Sequence, residues 1–203
     1  MIKNIIFDFG DIFIDLDKEA TQRALKQLGV DKVSEEMLLV AHQFEKGAVS
    51  TADFIAFFED TLKLSKVQLT AAWNAILLGF PKHRLQFLKK LSRSKKYRLF
   101  LLSNTNALHI EWIQNDWGSA LYEEFKSCFE QFYLSHEIHY RKPDASIYEF
   151  VLRENNLKAS ETFFIDDTSE NTEAARKLGI QTWNLLPGEE DVVDLLTKKE
   201  LNP

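Results

Sequence analysis

The chain has a single cysteine, Cys128, among its 203 residues. It can therefore form no internal disulfide, which fits a protein of the reducing cytoplasm. It also lacks an excess of positive charge, because 25 lysines and arginines stand against 31 acidic residues and the net charge is −6. Since nucleic-acid binding depends largely on neutralising phosphates, this balance disfavours DNA or RNA as the main partner.

Long apolar runs are missing as well. No stretch of the sequence is long and apolar enough to span a bilayer, and Asp8 comes too early for the apolar core of a signal peptide. We therefore expect no membrane partner and a cytoplasmic location. Core-forming residues are plentiful, with 45% hydrophobic residues and 16 phenylalanines, which argues against disorder. The length suffices for one well-cored domain plus a modest insertion.

Short apolar runs alternate with segments of helical period along most of the chain. This is the pattern of βαβ units, so we predict an α/β, Rossmann-like fold with a mostly parallel sheet flanked by helices. The predicted strands lie at about residues 4–9, 97–102, 131–134, 162–165 and 181–185. The end of the chain, after Lys199, is expected to fray.

Residues 18–80 interrupt this alternation, since they contain no convincing strand and read as several consecutive helices. Ser34 opens one of them. Ser50 and Ser65 head patterns that resemble capping boxes, in which a hydroxyl satisfies the free amides at a helix start. A helical insertion between the first two strands would be held by two short tethers, which are natural hinges.

Polar residues follow the ends of the apolar runs. Asp8 follows the first run, Ser103 and Asn104 the second, and the pair Asp166-Asp167 the fourth. Ligands of open α/β sheets bind beyond the carboxyl ends of the strands, and a buried carboxylate needs a partner or a metal. These residues therefore predict a functional site at one edge of the sheet.

Four motifs, FDFG, LLSN, RKP and FFIDD, occur in this order. The order resembles the haloacid dehalogenase-like (HAD) hydrolase superfamily, whose commonest members are magnesium-dependent phosphatases. Within it, FDFGDIFIDLD, LLSNTNALH and RKPDASIY are similar to the bacterial α-D-glucose-1-phosphate phosphatases. The resemblance covers nearly the whole chain, and four motifs in the correct order form a specific signal. It implies a catalytic core of residues 1–16 and 81–203 and a helical cap of residues 17–80.

The resemblance also implies the roles of the acidic residues. Asp8 would be the nucleophile, forming an aspartyl phosphate that water later cleaves. Mg²⁺ would be the cofactor, held by Asp8, the backbone carbonyl of Gly10, and Asp167. Asp166 would support them, and whether it binds the metal directly is left open. Both aspartates of this pair could instead cap the helix that starts near Glu170.

The same resemblance assigns phosphate-binding groups. Ser103 and Asn104 would donate hydrogen bonds to phosphoryl oxygens, although both are also good caps for the following helix. Lys142 would have a catalytic and a substrate-binding role, because it would neutralise the phosphoryl group and pair with Asp8. Its alternative is an ordinary solvated surface lysine.

One position departs from the pattern of most phosphatases in the superfamily. They carry a second aspartate two positions after the nucleophile, as general acid and base, and here that position is Gly10. The glucose-1-phosphate phosphatases also have glycine there. Asp11 lies one residue late and is assigned no role.

Histidines offer another source for the missing proton, at positions 109, 136 and 139. Surface or packing roles are favoured for all three. In the predicted cap, residues 44–47 form a loop, and Trp73 lies on a later helix. Family caps often present such elements to the substrate, although aromatic residues at helical spacing more often belong to a core.

Taken together, the sequence predicts a magnesium-dependent phosphatase of a small phosphorylated metabolite, such as a sugar phosphate like glucose 1-phosphate. One alternative is a dehalogenase-type hydrolase, which needs no magnesium and lacks the paired aspartates. The other is a catalytically impaired relative that only binds a phosphometabolite or a protein.

Overall fold

The computed structural model describes residues 1–201 of the chain. Its sheet is parallel and has the strand order β3-β2-β1-β4-β5. The strands are β1 (Asn4–Phe7), β2 (Arg98–Ser103), β3 (Gln131–Leu134), β4 (Thr162–Asp166) and β5 (Gln181–Asn184). Each one overlaps a predicted strand, so the Rossmann-like α/β prediction is confirmed.

Helices cover the sheet and form the insertion. Within the described residues, the insertion holds α1 (Ala20–Gln27), α2 (Glu35–Glu45), α3 (Thr51–Leu62) and α4 (Lys66–Asn74). The helices that follow are α5 (Lys82–Ser94), α6 (Ala107–Trp117), α7 (Ser119–Lys126), α8 (Ser135–Ile138), α9 (Ala145–Glu154) and α10 (Ser169–Lys177). No helix of the described chain combines the length and the apolar character that crossing a bilayer requires.

Strand β1 lies at the centre of the sheet, and its residues Ile5, Ile6 and Phe7 are fully buried. Phe7 is level with a residue of β2 on one side and with Ile165 of β4 on the other. The backbone N–H of Asp8 still donates to the Ile165 carbonyl, at 2.8 Å. The register of three parallel strands therefore brings the residues after β1, β2 and β4 to one edge.

The insertion is built around an apolar cluster, to which α6 adds Leu108 and to which α2, α3 and α4 contribute Met37, Phe44, Phe54, Ile55, Phe58 and Leu69. Ser34, Ser50 and Ser65 cap the three helices with their hydroxyls, as predicted. The two tethers bind each other through backbone hydrogen bonds, one from Asp15 N–H to the Gly79 carbonyl at 3.0 Å. The insertion thus leaves and re-enters the sheet domain as a paired ribbon.

The end of the chain differs from its prediction. Residues Lys199–Leu201 form a short 3₁₀ helix, and Leu201 is buried against the main core. The expected fraying after Lys199 is therefore wrong for these residues, because an apolar side chain anchors them. Residues 202 and 203 lie outside the described part of the chain.

Candidate active site

A buried ion cluster lies at the carboxyl edge of the sheet. The Lys142 side chain is 1% exposed, and its ammonium lies 2.7 Å from Asp8 Oδ1 and 2.6 Å from Asp166 Oδ2. Asp8 directly follows β1, and Asp166 is the last residue of β4. Lys142 is thus a buried counter-charge to two carboxylates and not a solvated surface lysine.

Asp166 is held from several directions. Its Oδ1 accepts from the backbone N–H of Thr168 at 2.8 Å, and the Asn171 amide donates to both of its oxygens, at 3.0 and 3.1 Å. With Lys142 on Oδ2, both oxygens have protein donors. Asp166 therefore positions Lys142 and the turn into α10. This favours a supporting role for Asp166 over direct binding of a metal ion.

The cluster changes the protonation of its members. Burial raises the pKa of Asp8 to about 7; Lys142 opposes that rise, while Asp166 and Asp167 add to it. Burial by itself would lower the pKa of Lys142, but Asp166 and Asp8 hold it above its ordinary value. Lys142 is therefore cationic at neutral pH, as a group that neutralises a phosphoryl anion must be.

The Lys142 backbone is fixed by Asn104. The Asn104 side chain donates from Nδ2 to the Lys142 carbonyl and accepts the Lys142 N–H at Oδ1, both at 2.9 Å. Ser103 is buried at the end of β2. Neither residue caps α6, because Asn106 does so by accepting the His109 N–H at 3.1 Å. Ser103 and Asn104 are thus placed at the site edge, with the Asn104 side chain committed to Lys142.

Three carboxylates are close enough to share a metal ion. Asp8, Asp166 and Asp167 each offer an oxygen, and these oxygens lie within 4.8 Å of one another. Carboxylate oxygens are the ligands that Mg²⁺ prefers, so the donor set fits this ion. Gly10 lies two residues beyond Asp8, where the chain passes Ile14 in an isolated bridge.

Lys18 was not predicted to belong to the site. Its ammonium pairs with Asp167 Oδ2 and lies 3.2 Å from Asp11 Oδ2. Asp11 also accepts the Leu16 N–H at Oδ1, at 3.0 Å, so this carboxylate is bound into the tether. A half-exposed lysine before α1 carries no signal in the sequence, because its partner Asp167 is 149 residues away.

His109 joins the insertion to the sheet domain. Its Nε2 lies 3.3 Å from the Trp73 carbonyl, its Nδ1 lies 3.2 Å from Asn106 Nδ2, and its ring stacks on Trp73 at 5.6 Å. Burial lowers the pKa of His109 to about 4. This histidine is neutral at pH 7 and has both nitrogens engaged, which makes it a poor proton donor for the reaction.

The end of α2 and the residue that follows it make a second connection between the insertion and the sheet domain. Glu45 pairs with Arg141 at 2.6 Å, and Lys46 pairs with Asp144 at 2.8 Å. His139 Nδ1 lies 3.0 Å from the Lys46 carbonyl. Glu45 and Lys46 therefore bind the loop that carries Lys142. The sequence did not predict this contact.

Phe44 was expected in a loop, but α2 extends through Glu45. Phe44 is 3% exposed and stacks on Phe54 with ring centroids 4.1 Å apart. It therefore belongs to the apolar cluster of the insertion. Its neighbours, not Phe44 itself, reach the sheet domain.

The family comparison agrees with this geometry. The model of the haloacid dehalogenase-like hydrolases matches residues 5–185, so the chain belongs to this family of hydrolases. The predicted family and the prediction of a hydrolase related to phosphatases are confirmed.

Particular relatives are similar over nearly the whole chain. A D-ribitol-5-phosphate phosphatase of Bacteroides thetaiotaomicron is 28% identical, over 90% of this chain and 91% of its own. A sesquiterpene phosphatase of Aspergillus oryzae is 26% identical, over 88% and 87%. The crystal structure of a HAD family enzyme of B. thetaiotaomicron in complex with magnesium is 34% identical, with a TM-score of 0.85 and coverage of 97% and 99%.

Proposed function

We propose that the protein is a magnesium-dependent phosphatase that hydrolyses a small phosphorylated metabolite through an aspartyl phosphate on Asp8. The observation that carries this proposal is the buried Lys142 ammonium between Asp8 and Asp166, with Asp167 beside them. This arrangement combines a nucleophile, a fixed cation and a second metal ligand at one point. The phosphatase relatives and the magnesium complex of the similar structure add support.

Asp8, Asp167 and the backbone carbonyl of Gly10 would hold Mg²⁺. The ion would supply the positive charge that allows an anionic nucleophile to approach an anionic phosphate. Asp166 stays outside this set, since its oxygens already accept from Lys142, Thr168 and Asn171.

The protein groups perform the remaining steps. Asp8 attacks phosphorus while the bond to the ester oxygen breaks, the departing oxygen takes its proton from solvent, and water then cleaves the aspartyl phosphate to release inorganic phosphate. Lys142 neutralises the phosphoryl oxygens, which also receive hydrogen bonds from the Ser103 hydroxyl and the Asn104 backbone N–H. The Asn104 side chain acts indirectly, because it holds the Lys142 peptide in place.

Because residue 10 is glycine, the aspartate that usually protonates the leaving oxygen is missing. Neither Asp11, which binds the tether, nor His109, which binds Trp73, has geometry that supports this role. The alcohol therefore leaves with more negative charge, and we expect rates to rise with its acidity. Substrates must be compared at matched leaving-group acidity for this reason.

We assign catalysis and substrate selection to different parts of the chain. Residues 1–16 and 81–203 form the catalytic core, and residues 17–80 form the cap that selects the substrate. The paired tethers support this division, and the contacts of Glu45 and Lys46 with the loop that carries Lys142 place the cap beside the site. A cytoplasmic location is consistent with the single, unpaired Cys128.

Sugar and polyol phosphates are the first substrates to assay, among them glucose 1-phosphate and ribitol 5-phosphate. We expect turnover of phosphate esters to stop in chelator and to return with Mg²⁺. Asp167→Asn should resist rescue except at raised Mg²⁺. Asp144→Asn is the control, because it removes a carboxylate from the loop that carries Lys142 but changes none of the proposed Mg²⁺ ligands. This variant should keep the wild-type Mg²⁺ requirement. Undiminished turnover of phosphate esters in chelator would contradict the Mg²⁺ requirement, and release of halide from a haloacid in chelator would support the dehalogenase-type alternative.

A further inference from the structure

The cap contains a cavity of about 360 Å³ between α1, α2, α3 and α4. This volume is within the usual range of small-molecule pockets, about 300–1,000 Å³. Its walls are mainly aliphatic and aromatic, and include Leu25, Met37, Leu38, Phe54, Leu69 and Trp73.

Part of this wall is exposed. The side chain of Leu38 is 51% exposed and that of Val33 is 41% exposed, although both line the cavity. The cavity is therefore open to solvent, so a ligand can reach it. A ligand that filled the cavity would remove these residues from water, which favours binding of an apolar group.

Few polar groups of the described chain face the cavity. They belong to Lys18, Thr21 and Gln22. The Thr21 hydroxyl already donates to the Trp73 carbonyl at 3.3 Å. A polyol bound here would leave most of its hydroxyls without partners, and burying unpaired hydroxyls opposes binding. An apolar group suffers no such loss.

The cavity adjoins the catalytic cluster. Lys18 lines it, and the Lys18 ammonium pairs with Asp167, one of the carboxylates that lie within 4.8 Å of one another. Trp73 lines it too, and the Trp73 indole N–H donates to Asn106, three residues after Ser103, at 3.2 Å. Two wall residues of the cavity thus contact the acidic cluster and the residues that follow β2.

We propose that this cavity binds the leaving group of the substrate, and that the leaving group is an apolar alcohol, with an alkyl chain or hydrocarbon ring in place of a polyol. This inference rests on the proposed phosphatase function, and it favours esters of apolar alcohols over the sugar and polyol phosphates named above. The phosphate lies at Asp8 and Lys142, and the hydrocarbon part lies against Leu38, Phe54 and Trp73.

The test is a series of primary alkyl phosphates (methyl, butyl, hexyl and octyl phosphate) with ribitol 5-phosphate as the polar comparison. Leaving-group acidity changes little from butyl to octyl, so chain length is what varies. We expect kcat/KM to rise about two- to fourfold per added methylene until the cavity is full, and octyl phosphate to exceed ribitol 5-phosphate. A flat or falling alkyl series overturns the inference while leaving the phosphatase function intact.

Activated p-nitrophenyl phosphate separates the two claims. If the enzyme with Mg²⁺ hydrolyses none of these esters, including this one, the proposed function fails and the inference fails with it. Turnover of p-nitrophenyl phosphate together with a flat alkyl series overturns the substrate class alone.

Two neighbouring leucines of α2 give a matched pair of variants. Leu38 lines the cavity, whereas Leu39 is similarly exposed, at 56%, and is not among the lining residues. Leu38→Gln should lower the octyl-to-methyl ratio of kcat/KM about three- to tenfold, because it places an amide against the hydrocarbon. Leu39→Gln makes the same chemical change on the same helix and should keep the ratio. Equal effects of the two variants, or an unchanged ratio in both, overturn the inference.

Discussion

The sheet side of the candidate site is charged, buried and held at strand ends, whereas the proposed cap, residues 17–80, is apolar, partly exposed and built on helices. Asp8 and Asp166 are held by strand register, and Lys142 by Asn104. The cap cavity instead offers Leu38 and other hydrocarbon side chains. A rigid charged centre can carry one reaction for many substrates, while an apolar wall changes the preferred substrate by replacing a few side chains.

This contrast predicts that a variant on the sheet side lowers turnover of every ester equally. Asp8→Asn removes the charge of the nucleophile with almost no change in volume, and should lower kcat at least about a thousandfold on all substrates. Asp11→Asn is the matched control, because Asp11 is also buried but binds Leu16 and Lys18. Steady-state kinetics measure both variants. Comparable losses would place Asp11 in the chemistry and remove the distinction drawn between the two carboxylates.

The next largest effect concerns the junction between the two sides. A Cβ at Gly47 would lie 2.0 Å from the His136 carbonyl oxygen, and the Gly47 φ angle is +65°. Gly47→Ala should therefore lower the unfolding free energy by about 2–4 kcal/mol, through backbone strain and this collision. Gly29→Ala has a φ of +88° and nothing within 4 Å, so its cost should be only about 1–2 kcal/mol. Urea unfolding of both variants measures the difference, and equal losses would mean that the contact with residue 136 does not constrain the cap.

A pH-dependent effect, which is absent at neutral pH, should come from His109. Its pKa is about 4 in the folded protein, against 6.5 for an ordinary histidine. The unfolded chain binds more protons between these values, so the contribution is complete above pH 6.5 and is lost as the pH falls toward 4. The full loss corresponds to about 3 kcal/mol. His109→Gln should flatten this part of the stability profile, and an unchanged slope in urea titrations would show that His109 is not buried at the junction.

The sheet and the sheet side of the site could be predicted because strand periodicity and motif spacing are local signals. The register of β1 with β2 and β4 then brings Asp8, Ser103 and Asp166 to one edge without further information. The start of α4 could also be predicted from the sequence, since Ser65 and Gln68 form the expected capping box.

The proposed cap could not be predicted to the same depth. Leu38 and Phe44 both lie at apolar positions of α2, but one lines an open cavity and the other is stacked in the cluster. Helical periodicity does not distinguish these outcomes, because both satisfy the same pattern. The pairs of Lys18 with Asp167 and of Glu45 with Arg141 join distant positions, and no local signal connects them.

The most direct test of the aspartyl-phosphate mechanism measures whether Asp8 carries the phosphoryl group and which atom of the intermediate water attacks. The enzyme is mixed with Mg²⁺ and substrate in ¹⁸O-labelled water, quenched in acid within one turnover, and the peptide containing Asp8 is analysed by mass spectrometry. The aspartyl-phosphate mechanism predicts a phosphoryl group on Asp8. It also predicts no ¹⁸O in the Asp8 carboxylate, because water attacks phosphorus. Turnover that places ¹⁸O in the Asp8 carboxylate would contradict it, since water would then attack the carboxyl carbon of a dehalogenase-type ester.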